Sequence, residues 1–170
     1  ENFVQKYTGE NSGGTVKYDD EKVIDKLDIF PSTNFIYSLK ENSNLRLAYS
    51  KTTARPSFKE VSIAEIYDPL SNMTFNGNIN LKPSYIDNLD LRYELFGEDN
   101  ELFAISGFYK SFKDPIELTY YEASTENFQP KNLGNAKVYG LELELRRQFS
   151  RSLGINLNAS IIKSRQQYGA

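Results

Sequence analysis

The feature that most constrains the fold of this chain is a two-residue alternation of apolar and polar side chains. In residues 139–146, a tyrosine and three leucines take every second position, with glycine, glutamate and arginine between them. Successive side chains of a β-strand point to opposite faces, whereas a helix would scatter these apolar residues around its circumference. The alternation recurs in four other segments, residues 34–40, 44–49, 88–95 and 155–161. The chain is therefore predicted to be all-β, with strands that have one apolar and one polar face.

Short polar turns and long polar connections follow each other along the chain. The short turns, which predict hairpins, lie at residues 41–44, 98–101 and 150–154. The long connections comprise residues 9–21, 57–83 and 122–131. Short turns on one side and long loops on the other are typical of outer-membrane barrels. The boundaries predict an antiparallel meander of about seven strands, at residues 1–8, 23–40, 45–56, 84–97, 101–121, 132–149 and 154–168.

Three classes of β-protein share this alternation. In a soluble sandwich or a lipocalin-like barrel the apolar face points inward, whereas in a membrane barrel it points to lipid. Mean hydropathy is -0.57, and the longest apolar run is residues 102–105, which excludes membrane helices but leaves barrels open. Aromatic residues lie near the predicted strand ends, as in interfacial girdles. They are Phe96, Phe103 and Phe149 near the short turns, and Tyr109, Phe112, Tyr120 and Tyr121 toward the long connections. The residues alone leave these classes open.

Composition argues against an enzyme and against several kinds of site. The chain has no cysteine and no histidine, so it lacks thiolate ligands, disulfides and the usual base of a hydrolytic triad. A net charge of -3 gives no indication of a nucleic-acid partner. We therefore expect no enzymatic activity, no metal site and no cofactor.

An ordered series of motifs resembles the barrel of TonB-dependent receptors. Residues 45–60, LRLAYSKTTARPSFKE, are similar to the family's LRLSYS-x-T-x-ARPSF-x-EL stretch, and residues 30–32, FPS, precede it as the family's LPS does. Residues 75–83, FNGNINLKP, resemble x-GNP-x-LKPE, with Ile79 in place of the usual proline. Further motifs follow in the family's order at residues 90–94, 107–110, 114–116 and 139–144. The resemblance covers roughly residues 28–162.

The resemblance implies a place and an activity. TonB-dependent receptors have a 22-stranded barrel with an N-terminal plug, lie in the bacterial outer membrane, and import nutrients such as siderophores, cobalamin or oligosaccharides. Residues 1–170 would then be a partial β-barrel domain, about a third of such a barrel, without the plug. The implied partners are outer-membrane lipid, the plug domain of the same parent chain, the TonB complex indirectly, and a small-molecule or glycan ligand.

Two groups of candidate functional residues follow. Charged residues on the polar faces are predicted to face the lumen, and they are Arg46, Asp90, Arg92, Glu94, Glu142, Glu144 and Arg146. The long connection 57–83 supplies candidates for ligand binding, because aromatic and amide side chains in an external loop suit sugars or chelates. These are Tyr67, Asp68, Asn72, Phe75 and Asn76.

Two alternatives to a receptor fragment remain. One is a complete small eight-stranded outer-membrane barrel with a structural or adhesive role, although the odd number of predicted strands and the long third connection argue against it. The other is a soluble β-sandwich or lipocalin-like domain that binds a ligand, which would purify without detergent as a stable monomer.

Overall fold

A computed structural model describes residues 1–11, 13–98, 100–121, 124–150 and 152–167. Within these ranges the chain has twelve strands and one helix of four residues. None of the described helices is long and apolar enough to span a membrane. The elements are β1 (Asn2–Glu10), β2 (Lys17–Leu27), β3 (Ser32–Lys40), β4 (Ser43–Ala54), α1 (Phe58–Val61), β5 (Glu65–Asp68), β6 (Met73–Asn76), β7 (Ser84–Phe96), β8 (Leu102–Lys113), β9 (Ile116–Tyr121), β10 (Ser124–Asn132), β11 (Asn135–Ser150) and β12 (Leu153–Gln167).

Six strands form one antiparallel sheet, in the order β12-β11-β8-β7-β4-β3. The order follows the chain, so the predicted meander is confirmed, with six strands in this sheet where about seven were predicted. Its register aligns Leu47 with Leu91, Leu91 with Gly107, Gly107 with Leu141 and Leu141 with Ile161. Residues that face each other in antiparallel strands share a face. The alternating leucines of separate strands therefore form continuous rows across the sheet.

The structure corrects the predicted boundaries at two long strands. The predicted strand 23–40 is two strands, because β2 ends at Leu27 and pairs with β1, and β3 begins only after Pro31. The predicted strand 101–121 is also divided, since Asp114 has a φ of 54° and Pro115 lacks a backbone N–H. In both places a proline interrupts the ladder, so only part of each predicted strand belongs to the six-stranded sheet.

The predicted long connections are largely structured. The hairpin β1–β2 occupies much of residues 9–21, and β5 and β6 lie within residues 57–83. In the predicted loop 122–131, residues 122 and 123 lie outside the described part, and β10 contains the rest; the side chain of Tyr121 is also outside it. A second sheet has the order β5-β6-β10-β9, in which β6 and β10 are parallel. Four-residue strands carry too little alternation for the sequence to reveal them.

We call the elements outside the six-stranded sheet the loop layer; they are β1, β2, α1, β5, β6, β9, β10 and residues 77–83. The Oη of Tyr7 accepts the backbone N–H of Ile63 at 3.2 Å, which attaches the β1–β2 hairpin to the segment after α1. Asn132 accepts the Lys82 N–H at 2.8 Å and donates to the carbonyls of Lys82 and Asp114, both at 2.9 Å. Asn132 thus fixes the second sheet to the start of β7.

The buried apolar core lies in the loop layer rather than in the six-stranded sheet. Among the described residues, Tyr7, Ile24, Val61, Phe75 and Leu81 are buried there, and Ala104 is the one buried apolar residue of the large sheet. In contrast, Leu141 is 59% and Ile161 is 79% exposed. A water-soluble sandwich would bury this face. The exposed apolar face contradicts the soluble alternative and requires an apolar surrounding.

Gly77 permits a close backbone contact within the loop layer. A Cβ built at this position would lie 2.0 Å from the backbone oxygen of Ser62, a contact that only a backbone shift could relieve. We expect Gly77→Ala to destabilise the loop layer by about 1 to 3 kcal/mol, as overpacking commonly does. Hydrogen exchange in the intact protein would report this as faster exchange of the Asn78 N–H, which donates to the Glu60 carbonyl at 2.7 Å.

Gly13→Ala is the matched control, because a Cβ there would meet its nearest neighbour, the Oγ1 of Thr15, only at 3.8 Å. That variant should leave the exchange of Asn78 unchanged. Equal exchange rates in the two variants would show that residue 77 has room for a side chain.

Candidate functional site

The seven charged residues predicted to face a lumen share one face of the six-stranded sheet. In the register, Arg46 faces Arg92, and Arg92 and Glu142 both face Ser106. Glu94 and Glu144 both face Ala104, two residues further along the strands. This face is opposite to that of the exposed leucines, because the charged residues occupy the alternate positions of the same strands. The remaining members of the group, Asp90 and Arg146, occupy the same alternate positions of β7 and β11.

Ion pairs connect β4, β7 and β11 across this polar face, and a hydrogen bond adds β8. The carboxylate of Glu94, which is only 7% exposed, accepts the Nε–H of Arg46 at 2.6 Å and that of Arg92 at 2.9 Å. Arg92 also donates from Nη2 to Glu144 at 2.8 Å and from Nη1 to Ser106 at 3.2 Å. We call these five side chains the arginine–glutamate network. Each guanidinium has carboxylate partners, which satisfies charges that are partly removed from water.

Three of the predicted ligand-binding residues form the tip of the β5–β6 hairpin. The hydroxyl of Tyr67 donates to Oδ1 of Asn72 at 2.9 Å. The Asp68 carboxylate accepts the Leu70 N–H at 3.0 Å and the Ser71 hydroxyl at 2.8 Å. The Leu70 N–H, followed by the Ser71 hydroxyl, lowers the pKa of Asp68 below its ordinary value. These bonds stabilise the turn, so the side chains of Asp68 and Asn72 already have partners inside the hairpin.

Phe75 and Asn76 lie at different depths. Phe75 is 7% exposed, packs edge-to-face against Phe128 with ring centroids 5.8 Å apart, and has the Nζ of Lys59 4.5 Å from its ring centroid. It is thus a core residue of the loop layer. Asn76 instead lines an open cleft. Of the five predicted residues, Asn76 offers a side-chain amide with no hydrogen-bond partner in the described chain, and Tyr67 offers an exposed ring whose hydroxyl is already bonded to Asn72.

The cleft beside Asn76 has a volume of about 320 Å³ and is lined mainly by carboxamide side chains, with Glu65 and two isoleucines completing the wall. We call it the amide cleft; its carboxamide residues are Asn76, Asn78, Asn80, Asn127 and Gln129. Asn78 and Gln129 are held by donating to the carbonyls of Pro130 at 3.0 Å and Gly77 at 3.1 Å. Within the described chain, the side-chain amides of Asn76 and Asn127 have no hydrogen-bond partner. These two amides can each offer a donor and an acceptor to a bound molecule.

The sequence indicated only part of this cleft. The asparagines at positions 76, 78 and 80 form a visible series, but residues 127 and 129 fell in a predicted featureless connection. They join the cleft because β10 pairs in parallel with β6, which places Asn127 opposite Thr74. The described residues contain no group of three acidic, cysteine or histidine side chains that could hold a metal ion.

Comparisons with known proteins agree with this geometry. Residues 6–170 match the outer membrane protein beta-barrel family. No curated protein matches the chain. The siderophore receptor PirA from Pseudomonas aeruginosa superimposes with a TM-score of 0.72 at 19% identity, over 81% of this chain and 28% of that one.

Two further solved structures are similar. The ferric enterobactin receptor PfeA from Pseudomonas aeruginosa gives a TM-score of 0.62 at 20% identity, over 78% of this chain and 21% of that one. The copper transporter OprC gives 0.64 at 18% identity, over 91% of this chain and 23% of that one. The chain thus spans 21 to 28% of these three proteins, and the likeness establishes a shared fold.

Proposed function

Because the chain belongs to the outer membrane protein beta-barrel family and resides in the bacterial outer membrane, we propose that it is a barrel segment of a TonB-dependent receptor that imports a scarce nutrient. The motif resemblance to such receptors is confirmed at the level of the fold. The observation that carries the proposal is the two-sided sheet, with exposed leucines on one face and the arginine–glutamate network on the other. This polarity fits lipid outside and a hydrated, plug-filled lumen inside.

The polar face is proposed to line the lumen and to meet the plug domain of the parent chain. The arginine–glutamate network leaves Asp90 and Glu142 exposed on that face. Exposed carboxylates beside paired guanidiniums can bind polar groups of a plug without losing the charge balance of the wall. The TonB complex would act on the plug and so reach these strands only indirectly.

The amide cleft, with the neighbouring Tyr67, is proposed as the part of the loop layer that meets the ligand. Its carboxamides donate and accept hydrogen bonds without bringing net charge, and Glu65 adds a single carboxylate acceptor to the lining. Such a lining favours a nutrient rich in hydroxyl and amide groups, as oligosaccharides, cobalamin and peptide-like iron chelates are. Aromatic rings beside amides add apolar contact to the less polar side of such molecules.

Uptake in the producing bacterium tests this function. Strains with and without the intact protein would be given radiolabelled cobalamin, maltooligosaccharides, and ferric siderophores of the catecholate and hydroxamate types. We expect one class to be lost in the strain without the protein and in a strain without TonB. Normal uptake of every class in the strain without the protein would contradict the receptor assignment, provided that the protein is shown to be folded in wild-type membranes.

The double variant Asn76→Ala with Asn127→Ala tests the amide cleft separately. Loss of two hydrogen bonds of about 1 kcal/mol each should weaken uptake at low ligand concentration about tenfold or more. Asn2→Ala with Asn135→Ala, two exposed asparagines outside the cleft, makes the same chemical change and should leave uptake unaltered. Equal uptake by both double variants would place the ligand elsewhere while leaving the transport assignment intact.

A further inference from the structure

One buried tyrosine of the β1–β2 hairpin reaches across to the segment that follows α1. Tyr7 is 6% exposed, and its ring centroid lies 5.9 Å from that of Tyr18 and 6.0 Å from that of Phe58. Its Oη accepts the backbone N–H of Ile63 at 3.2 Å. The ring therefore belongs to an aromatic core, whereas the hydroxyl binds a backbone group of another segment.

The backbone group that Tyr7 holds belongs to the wall of the amide cleft, because Ile63 is one of the residues that line this cleft. The same segment is in close contact with the chain directly after β6. There the backbone oxygen of Ser62 lies so near Gly77 that a Cβ on the glycine would approach it to 2.0 Å. This part of the cleft wall is therefore held between the Tyr7 hydroxyl on the hairpin and the backbone of the second sheet.

The position of the Tyr7 hydroxyl depends on a glycine of the same strand. A Cβ built on Gly9 would lie 2.6 Å from Oη and 2.9 Å from Cζ of Tyr7. The β1–β2 ladder also shifts its register between Tyr7 and Gly9, and such irregularities redirect a neighbouring side chain. Because the phenol ring is rigid and buried, a side chain at position 9 would push the hydroxyl away from Ile63.

We propose that Tyr7 is a positioning residue of the ligand site, whose hydroxyl fixes the Ile63 wall of the amide cleft. This inference rests on the proposed role of the cleft in binding a nutrient. Packing in the aromatic core needs only the ring of Tyr7, so the hydroxyl is free to serve the cleft. A wall that is fixed before the ligand arrives loses less conformational entropy on binding. The hairpin thus raises the affinity of the cleft, although none of its described residues lines it.

Tyr7→Phe tests this role, because it removes the hydroxyl and keeps the ring. In the intact protein in phospholipid vesicles, the Ile63 N–H should exchange with solvent about fivefold faster, as expected for one lost hydrogen bond. Uptake would be measured with radiolabelled cobalamin, maltooligosaccharides and ferric siderophores. For the probe that the wild type imports, the half-saturating concentration should rise about fivefold while the maximal rate stays unchanged. Loss of folded protein would lower the maximal rate instead.

Tyr18→Phe is the matched control, because it makes the same chemical change in the same hairpin beside the Tyr7 ring. The Tyr18 hydroxyl has no hydrogen bond within the described residues, so both readouts should stay at their wild-type values. Gly9→Ala displaces the Tyr7 hydroxyl and should match or exceed the effect of Tyr7→Phe. Gly13→Ala, whose Cβ would meet its nearest neighbour only at 3.8 Å, should behave as the wild type does.

Equal exchange of the Ile63 N–H in Tyr7→Phe and Tyr18→Phe would overturn the inference. Faster exchange in Tyr7→Phe with an unchanged half-saturating concentration would also overturn it, because the hydroxyl would then hold the wall without helping the ligand. If the wild type imported none of the probes, the proposed function would fail on its own. The difference in Ile63 exchange between the two variants would still decide whether the Tyr7 hydroxyl positions the cleft.

Discussion

Replacing Leu141 by arginine is expected to destabilise the folded protein in its membrane by about 2 to 4 kcal/mol. Leu141 lies near the middle of β11, is 59% exposed, and shares its face with Leu91 and Ile161. An arginine at this depth must place its guanidinium in hydrocarbon or bend toward the headgroups. Either conformation lowers the unfolding free energy more than an arginine at a solvent-exposed position would. Denaturant titration of the intact protein in phospholipid vesicles would measure the loss of unfolding free energy.

Ser160→Arg provides the matched comparison, because Ser160 faces Glu142 on the opposite, polar side of the sheet. The added guanidinium there gains a carboxylate neighbour and should change the unfolding free energy by less than about 1 kcal/mol. If Leu141→Arg were as well tolerated as Ser160→Arg, the leucine face would not be in contact with lipid.

Glu94→Ala is expected to cost about 3 kcal/mol, because it removes two charge-assisted hydrogen bonds and leaves Arg46 and Arg92 without their shared partner. Glu94 is the most buried member of the arginine–glutamate network, and water can only partly replace its carboxylate. The same vesicle titration would measure this loss. Raising the salt concentration should change this difference in unfolding free energy only slightly, since ionic screening acts weakly on buried ion pairs.

Glu142→Ala removes a carboxylate from the same face at an exposed position, and the change in unfolding free energy should stay below about 0.5 kcal/mol. A similar loss in both variants would mean that the two carboxylates stabilise the sheet only through net charge. Restoration of stability in Glu94→Ala by the second change Arg46→Leu would instead confirm that the cost comes from an unpaired guanidinium, because Glu94 is the carboxylate partner of Arg46 in the described chain whereas Arg92 keeps Glu144.

The two faces of the sheet differ in chemistry and in the surroundings that suit them. Apolar side chains adapt one face to lipid, and the arginine–glutamate network stabilises the other face without closing it to water. The loop layer has its own buried core around Val61 and Phe75, so it can hold the amide cleft in a fixed shape above the sheet. A cleft supported in this way binds with less loss of conformational entropy than a flexible loop would.

The sequence by itself determined the strands of the six-stranded sheet and the polarity of their faces. A residue such as Leu141 or Glu142 reports its face through its place in a two-residue period, which is a local property of the backbone. Motif order added the resemblance to a receptor barrel. The alternation did not reveal which face was the outer one, because a soluble barrel has the same pattern with the opposite sense.

Only the tertiary structure decided the shape of the loop layer. The exposure of Leu141 and Ile161 shows that the described residues do not bury the apolar face in a core of their own, which fits its proposed place against lipid. The amide cleft required the parallel pairing of β6 with β10, which joins Asn76 to residues some fifty positions later in the chain. Contacts between distant segments depend on how whole strands pack, and no local period in the sequence records them.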